Sequence, residues 1–211
     1  MKVLSLFDYT GNMVRPWAEA GHECMCLDIR HSYRPLMFPE PYPEETYEKF
    51  ESGGYIIKYN WNALKDPVWD MPPSEADIIF AFPPCDHLAI SGARWFKGKG
   101  LHKLAEAIEL VAIAAEICEQ AKVFWLIENP VSTLSTYWRK PDYIFQPCDY
   151  GEDYTKKTCL WTSENFIMPE KTPVEPTAGS KMHILPPSED RKYLRSETPK
   201  KFAMAVFEAN K

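Results

Sequence analysis

The stretch from Lys2 to Ile29 constrains the fold more than any other part of this 211-residue chain. Lys2-Val3-Leu4-Ser5-Leu6-Phe7 has the composition of a strand. Asp8-Tyr9-Thr10-Gly11-Asn12 is turn chemistry. Met13 to Ala20 predicts a short helix, with Pro16 tolerable only in its first turn and Gly21 ending it. His22 to Ile29 predicts a second strand that closes on Asp28. Strand, tight turn, helix and strand at this spacing form a βαβ unit. The rest of the chain continues the alternation. Tyr55 to Tyr59, Ala76 to Phe82 and Val123 to Ile127 read as further strands. Leu101 to Ala121 reads as a long helix, with Leu101, Leu104, Ala105, Ile108, Val111, Ala112 and Ala115 at spacings of three and four. Ile144 to Cys148 and Thr158 to Trp161 predict two more strands around a turn at Gly151. Thr198 to Ala209 predicts a closing helix, with Thr198 as N-cap and Pro199 at the first helical position. The expectation is an α/β domain over 1–211, doubly wound on a mostly parallel sheet.

Four connections stand out. Arg30 to Gly54 is long, aromatic and proline-rich, a kind of segment that is usually functional or mobile. Pro67 to Pro73 is a shorter link. Gly92 to Gly100 reads as a loop carrying Arg94, Trp95, Lys97 and Lys99. Glu164 to Glu189 is irregular and rich in proline.

Composition narrows the function classes. The 45% hydrophobic content fits a soluble globular domain. The formal net charge of −6 argues against strong autonomous grip on nucleic acid, which draws its affinity from phosphate neutralisation. A local basic cleft is compatible with it. Met1-Lys2-Val3-Leu4 runs straight into a polar turn, so no signal peptide is expected, and no apolar run is long enough for a membrane. Cysteines at 24, 26, 85, 118, 148 and 159 contain no CxxC pair, and Cys24 and Cys26 would share one strand face. Neither zinc nor a disulfide framework is expected, and a reducing, cytoplasmic setting is.

Chemistry concentrates at strand ends, where open α/β folds build their sites. The run Ala76 to Ala81 ends in Phe82-Pro83-Pro84-Cys85, and two prolines stop the ladder because neither has an N–H to donate. Leu126-Ile127-Glu128-Asn129-Pro130 repeats the design with a carboxylate in place of the thiol. Cys85 is a candidate nucleophile and Glu128 a candidate proton donor. Each alone would more often be structural, an inert thiol and a capping or salt-bridged carboxylate. At the first turn, Gly11 permits close backbone approach to a ligand, and Asp28 sits where an acid binds ribose hydroxyls. A plain turn and an N-cap would use the same residues.

Phe82-Pro83-Pro84-Cys85 and Glu128-Asn129-Pro130 resemble the two catalytic motifs of the DNA cytosine-C5 methyltransferases. Ser5-Leu6-Phe7-Asp8-Tyr9-Thr10-Gly11-Asn12 resembles that family's S-adenosylmethionine loop, and Cys26-Leu27-Asp28-Ile29 its second strand. Tyr150-Gly151 opens a segment similar to the motif ending Gln-x-Arg-x-Arg, and Arg195 to Asn210 gives a weaker echo. The resemblance implies a Rossmann-like methyltransferase fold with S-adenosylmethionine as cofactor. It implies a Cys85 thiolate that adds to cytosine C6, with Glu128 at N3 and Asn129 holding the Glu128 loop. Asp28 would take the ribose, with Phe7, Asp8, Thr10, Gly11, Asn12, Ile29 and Pro83 around the cofactor. Asn60 or Trp61 would lie near the adenine.

The chain departs from the family pattern in three places. Tyr9 replaces the first glycine of the cofactor loop. Tyr154, Lys156 and Thr158 stand for the glutamine and the two arginines. Lysine keeps the charge of arginine but loses its planar fork, and Lys156 joins Cys85, Glu128 and Asn129 as a catalytic candidate. Thr162 to Glu197 is all that occupies the interval in which the family carries a target-recognition domain. That interval argues for relaxed sequence specificity, a partner protein that supplies DNA contacts, or a substrate smaller than duplex DNA. The resemblance implies cytosine in DNA as substrate, with a free cytosine nucleotide, or a catalytically weak binding or regulatory protein, as the alternatives. Arg30, His31, Tyr33 and Arg34 offer compensating contacts, or else ordinary packing. A chain this economical would suit a phage genome, which would place it in a bacterial host cell.

Overall fold

The computed structural model describes residues 1–32, 46–66, 73–180, 188 and 191–211. Its main sheet has the strand order β3-β4-β2-β1-β5-β6-β9-β7. The strands are β1 (Lys2–Leu6), β2 (Glu23–Asp28), β3 (Tyr47–Lys49), β4 (Tyr55–Asn60), β5 (Ile78–Ala81), β6 (Phe124–Pro130), β7 (Tyr143–Phe145) and β9 (Thr158–Thr162). The five central strands, β4, β2, β1, β5 and β6, pair in parallel. β3, β9 and β7 add antiparallel pairs at the flanks. The doubly wound, mostly parallel α/β sheet expected from the sequence is the sheet that forms. A second, two-stranded ribbon joins β8 (Tyr154–Thr155) to β10 (Gly179–Ser180).

Period-two alternation sorts the strand residues between two cores. Val3, Cys24, Cys26, Ile56, Ile78, Phe80 and Leu126 face one layer. There they meet α1 (Arg15–Glu19) through Trp17 and Ala18, and the closing helix α6 (Lys200–Asn210) through Phe202, Ala203 and Val206. Leu4, Leu6, Leu27, Ile79, Ala81 and Ile127 face the other layer, covered by α3 (Leu101–Ala121). The buried residues of α3 are Ala107, Val111, Ala114, Ala115, Ile117 and Cys118. Of the expected stripe, Leu101 is 82% exposed and Ala105 and Ile108 are exposed too, because α3 meets the sheet only from Ala107 onward and along the face of Ala107, Val111, Ala114 and Cys118. Gly54 lets β4 pass close to α1: a Cβ there would sit 2.1 Å from the Ala18 carbonyl oxygen.

Several local expectations need correction. Thr198 does not cap α6. Pro199, extended at ψ 126°, is the cap, and its carbonyl accepts the first helical bond from Ala203 N at 3.0 Å. The Gly92–Gly100 loop is instead a 3-10 turn over Ile90–Trp95 followed by α2 (Phe96–Lys99), broken from α3 by Gly100 at φ +78°. Cys148 is not in a strand, since Pro147 ends the ladder and opens a 3-10 turn boxed by Gln146 and Asp149. Further elements not anticipated are β3, β8, β10, α4 (Leu134–Tyr137) and α5 (Arg191–Ser196). The last of these lies within the Thr162–Glu197 interval. Tyr33 and Arg34, and residues 67–72 of the second connection, lie outside the described residues.

Candidate active site

The carboxyl ends of β1, β2, β4, β5 and β6 open on one cavity of about 370 Å³. β1 lies between strands reached in opposite directions along the chain, so the cavity occupies the topological switch point. Register sets the two expected motifs side by side. β5 and β6 pair in parallel up to Ala81 opposite Ile127, so the cysteine turn leaves the sheet at the level of Glu128, while β6 runs on beside β9 to Pro130. Cys85 and Glu128 both line the cavity.

Asn129 fixes the two turns to each other. It is 1% exposed, and its Nδ2 donates to the Pro83 carbonyl at 2.9 Å. Sequence reasoning assigns Asn129 to the Glu128 loop. Its bond runs across to the cysteine turn as well.

Lys156 reaches the site by antiparallel pairing. β9 runs back along β6 with Pro130 opposite Thr158, which brings the preceding turn over Glu128. Lys156 Nζ lies 3.7 Å from Glu128 Oε1, an ion pair too long to be a hydrogen bond. Glu128 Oε1 is buried and has no hydrogen-bond partner. Of the residues aligned with the arginine motif, Thr158 is buried and its hydroxyl closes the turn on the Lys156 carbonyl at 2.9 Å. Tyr154 sits in the ribbon, its phenol pushed up by burial first and by Glu152, Glu197 and Asp153 after that.

Burial above all pushes the Cys85 thiol up, Lys156 pulls it down, and Glu128 and Asp86 raise it, which together leave it at about 11. The free protein therefore holds Cys85 as a thiol at neutral pH. All six cysteines are free. Lys99 Nζ donates to the Asp86 carbonyl, so the short helix α2 is fastened to the cysteine turn.

On the β1 side, Asp8 organises the loop. Its buried carboxylate accepts from Ser5 Oγ at 2.8 Å, Gly11 N at 2.8 Å and Thr10 Oγ1 at 3.2 Å. Burial raises the Asp8 carboxyl, against those three bonds. Gly11 adopts φ +72°, which demands glycine even though a Cβ would meet only ordinary contacts. Phe7 also has a positive φ, +58°, a rare and strained conformation for a bulky residue. That conformation belongs to a ring that lines the cavity 5.1 Å from Trp61.

Asp8, Thr10, Asp28, Ile29, Trp61 and Pro83 also line the cavity. Gly11, Asn12, Asn60 and Asn129 do not. Asn60 Nδ2 is engaged by the carbonyls of Ile29 at 2.7 Å and His31 at 2.8 Å, so of the two adenine-side candidates Trp61 is the one that faces the cavity. Asn12 Nδ2 donates to the Thr198 carbonyl at 3.2 Å and ties the loop to the entry of α6. Sequence reasoning missed the opposite wall: Glu106, Ala107 and Leu110 of α3, and Tyr193, Ser196, Glu197 and Thr198 around α5. His31 is buried and lies with Nε2 3.1 Å from the Asp8 carbonyl. Asp28 is held by Arg30, which approaches both of its oxygens.

The residues fit a nucleoside-type cofactor. A volume of a few hundred Å³ suits a ligand of that size. An acid at the end of β2 and apolar faces from Phe7, Ile29 and Trp61 supply polar and stacking contacts. Among the described residues, no group of three or more His, Cys, Asp or Glu side chains is arranged to hold a metal ion. No helix among them is long and apolar enough to cross a membrane.

No family model matches the chain. Over 189 residues, 79% of this chain and 73% of the other, it is 26% identical to a protein described as a probable DNA (cytosine-5)-methyltransferase from Frog virus 3 (isolate Goorha). Among solved structures, a triple-substituted DNMT2 from Spodoptera frugiperda aligns with a TM-score of 0.44 and 16% identity, covering 90% of this chain. The chain spans 60% of that protein's length.

Proposed function

We propose that this chain, a relative of the DNA cytosine-C5 methyltransferases by motif and by sequence match, transfers a methyl group to C5 of cytosine in DNA through a covalent Cys85 adduct. The observation that carries the reading is the buried, unpartnered Oε1 of Glu128, which shares one cavity with Cys85 and lies 3.7 Å from Lys156. A buried acceptor without a donor is costly. The exocyclic amine of cytosine supplies such a donor, and acidic side chains accept from it.

The residues divide the work as follows. Cys85 Sγ, once deprotonated, forms a bond to C6 of the ring. Glu128 hydrogen-bonds the pyrimidine edge and gives a proton to N3, which takes up the charge that the addition places on the ring. C5 thereby becomes nucleophilic. S-adenosylmethionine, when bound, supplies an electrophilic methyl group. Loss of the C5 proton then lets the C6–S bond break while N3 returns its proton to Glu128, which restores the aromatic ring, the Glu128 acid and the Cys85 thiolate. Asn129 holds both turns in register through Pro83. Lys156 balances the Glu128 charge and favours the thiolate. Asp28, Phe7, Ile29 and Trp61 hold the nucleoside part of the cofactor, with the Asp8, Thr10, Gly11 and Asn12 loop and Pro83 shaping that end of the cavity. A cytosine in duplex DNA must leave the stack to reach Cys85.

The short Thr162–Glu197 interval favours a second reading, a free cytosine nucleotide as acceptor. Labelled methyl transfer to duplex DNA, single-stranded DNA and deoxycytidylate, with Cys85→Ala as control, separates the two. Label in DNA that the control abolishes is the expected result. Label confined to the nucleotide selects the second reading. An oligonucleotide carrying 5-fluorocytosine should trap an adduct on the wild type alone. No transfer and no adduct at saturating cofactor would make this a binding or regulatory protein.

A further inference from the structure

We infer that Arg30 sets the affinity of this protein for its cofactor, by occupying Asp28 until the ribose displaces it. The inference rests on the cofactor reading of the β2 end. Asp28 is 6% exposed and accepts three hydrogen bonds from one residue. Arg30 N and Nε donate to Oδ1 at 2.9 and 2.8 Å, and Nη2 donates to Oδ2 at 2.9 Å. A carboxylate offers about four lone-pair sites. Three are filled, and a ribose diol that binds through both hydroxyls needs two. The diol and the guanidinium therefore compete for the same oxygens. Arginine cannot leave by losing its proton, so it must rotate away.

Two aromatic rings hold the guanidinium. Its carbon lies 4.3 Å from the centre of the Tyr9 ring and 4.8 Å from that of Tyr193. Tyr9 is in turn stacked on His31, with ring centres 5.3 Å apart. Tyr9 occupies the position at which the resembled cofactor loop has glycine, and no glycine could build this wall. Tyr193 comes from α5, whose end lines the same cavity through Ser196. Arg30 thus joins the ribose subsite, the β1 loop and α5 in one contact, and ribose entry breaks that contact at its centre.

The cost appears as a reduced apparent affinity. A site that is open one-tenth of the time binds about tenfold more weakly than the same site held open. The test is calorimetric titration of S-adenosylhomocysteine into the full chain, its Arg30→Ala and Arg30→Lys variants, and Tyr193→Leu. Adenosine and 2′,3′-dideoxyadenosine serve as paired probes of the hydroxyls. Arg30→Ala should bind S-adenosylhomocysteine and adenosine about tenfold more tightly. Arg30→Lys, which lacks the fork, and Tyr193→Leu, which removes one wall, should move the same way by less. Dideoxyadenosine, with no diol to compete for Asp28, should bind all forms alike. Should Arg30→Ala fail to fold, Arg30→Lys decides the question. Wild-type binding with unchanged or weaker affinity in the variants overturns this inference and leaves the methyltransferase reading standing. No binding by any form overturns both.

Discussion

Asn129 Nδ2 donates to the Pro83 carbonyl at 2.9 Å, and this bond joins the turn that carries the thiol to the strand that carries the carboxylate. Both residues are buried, so water cannot replace the bond when it is lost. Asn129→Ala should cost about 1–3 kcal/mol of stability by leaving the Pro83 carbonyl unpaired. Activity should suffer more, because a misplacement of about 1 Å between reacting groups costs about a hundredfold. Thermal unfolding and single-turnover methyl transfer, measured together, check this. Activity falling no further than the folded fraction would reduce Asn129 to a packing residue.

Cys85 should react as a half-buried thiol under electrostatic control. With the thiol pushed up to about 11, alkylation by iodoacetamide should rise about tenfold per pH unit from pH 7 to 10, without a plateau. Lys156→Ala should slow alkylation throughout that range, since it removes the cation that favours the thiolate and leaves the Glu128 charge unopposed. Glu128→Gln should accelerate it by removing a negative neighbour. Mass-spectrometric rates at Cys85 across pH for the three proteins provide the check. A plateau below pH 8 would mean that the thiolate already forms in the free protein.

How much of this was legible in the sequence depended on whether one residue type carried the signal. Cys85 and Glu128 were readable because prolines at 83, 84 and 130 mark the ends of apolar strands. The sheet was readable because its central strands are buried on both faces and appear as continuous apolar runs. α5 was not, since six residues between proline-rich segments span too few turns to show a period. β3 is a three-residue edge strand with the same difficulty. The choice between Asn60 and Trp61 needed the register, because β4 beside β2 sets Asn60 opposite Asp28 and within reach of the Ile29 and His31 carbonyls. Lys156 was read from motif alignment alone, and its nearness to Glu128 follows from β9 running antiparallel to β6.

Asp8 should be a stability residue more than a chemical one. Its carboxylate satisfies Ser5, Thr10 and the Gly11 N–H. Asp8→Ala strands those donors and should cost about 1–3 kcal/mol for each group left buried without a partner. The pH dependence has a definite sign. Burial raises the Asp8 carboxyl in the folded state, so its contribution is fully present below the unfolded value and is lost as pH rises through the folded one. Asp8→Asn should therefore flatten the decline in stability across that window. Urea unfolding from pH 4 to 8 for both proteins would reveal it, and parallel curves would mean that Asp8 titrates as in the unfolded chain.

Phe7 and Trp61 make the strongest prediction about which end of the cavity takes the adenine. Their rings lie 5.1 Å apart and both face the cavity, and Phe7 keeps a φ of +58° to do so. Strain of that kind persists only where the surrounding structure imposes it. A stacked base is worth about 1–3 kcal/mol by alanine substitution. Trp61→Ala should therefore weaken S-adenosylhomocysteine by about five- to 150-fold, and Trp61→Phe should recover most of the loss. Phe7→Gly should show two effects of opposite sign: relief of the backbone strain, and loss of the ring that packs beside the ligand. Stability should hold or improve while ligand affinity falls. Denaturation midpoints alongside titration separate the two effects, and a variant that loses both together would show that Phe7 serves the core and not the ligand.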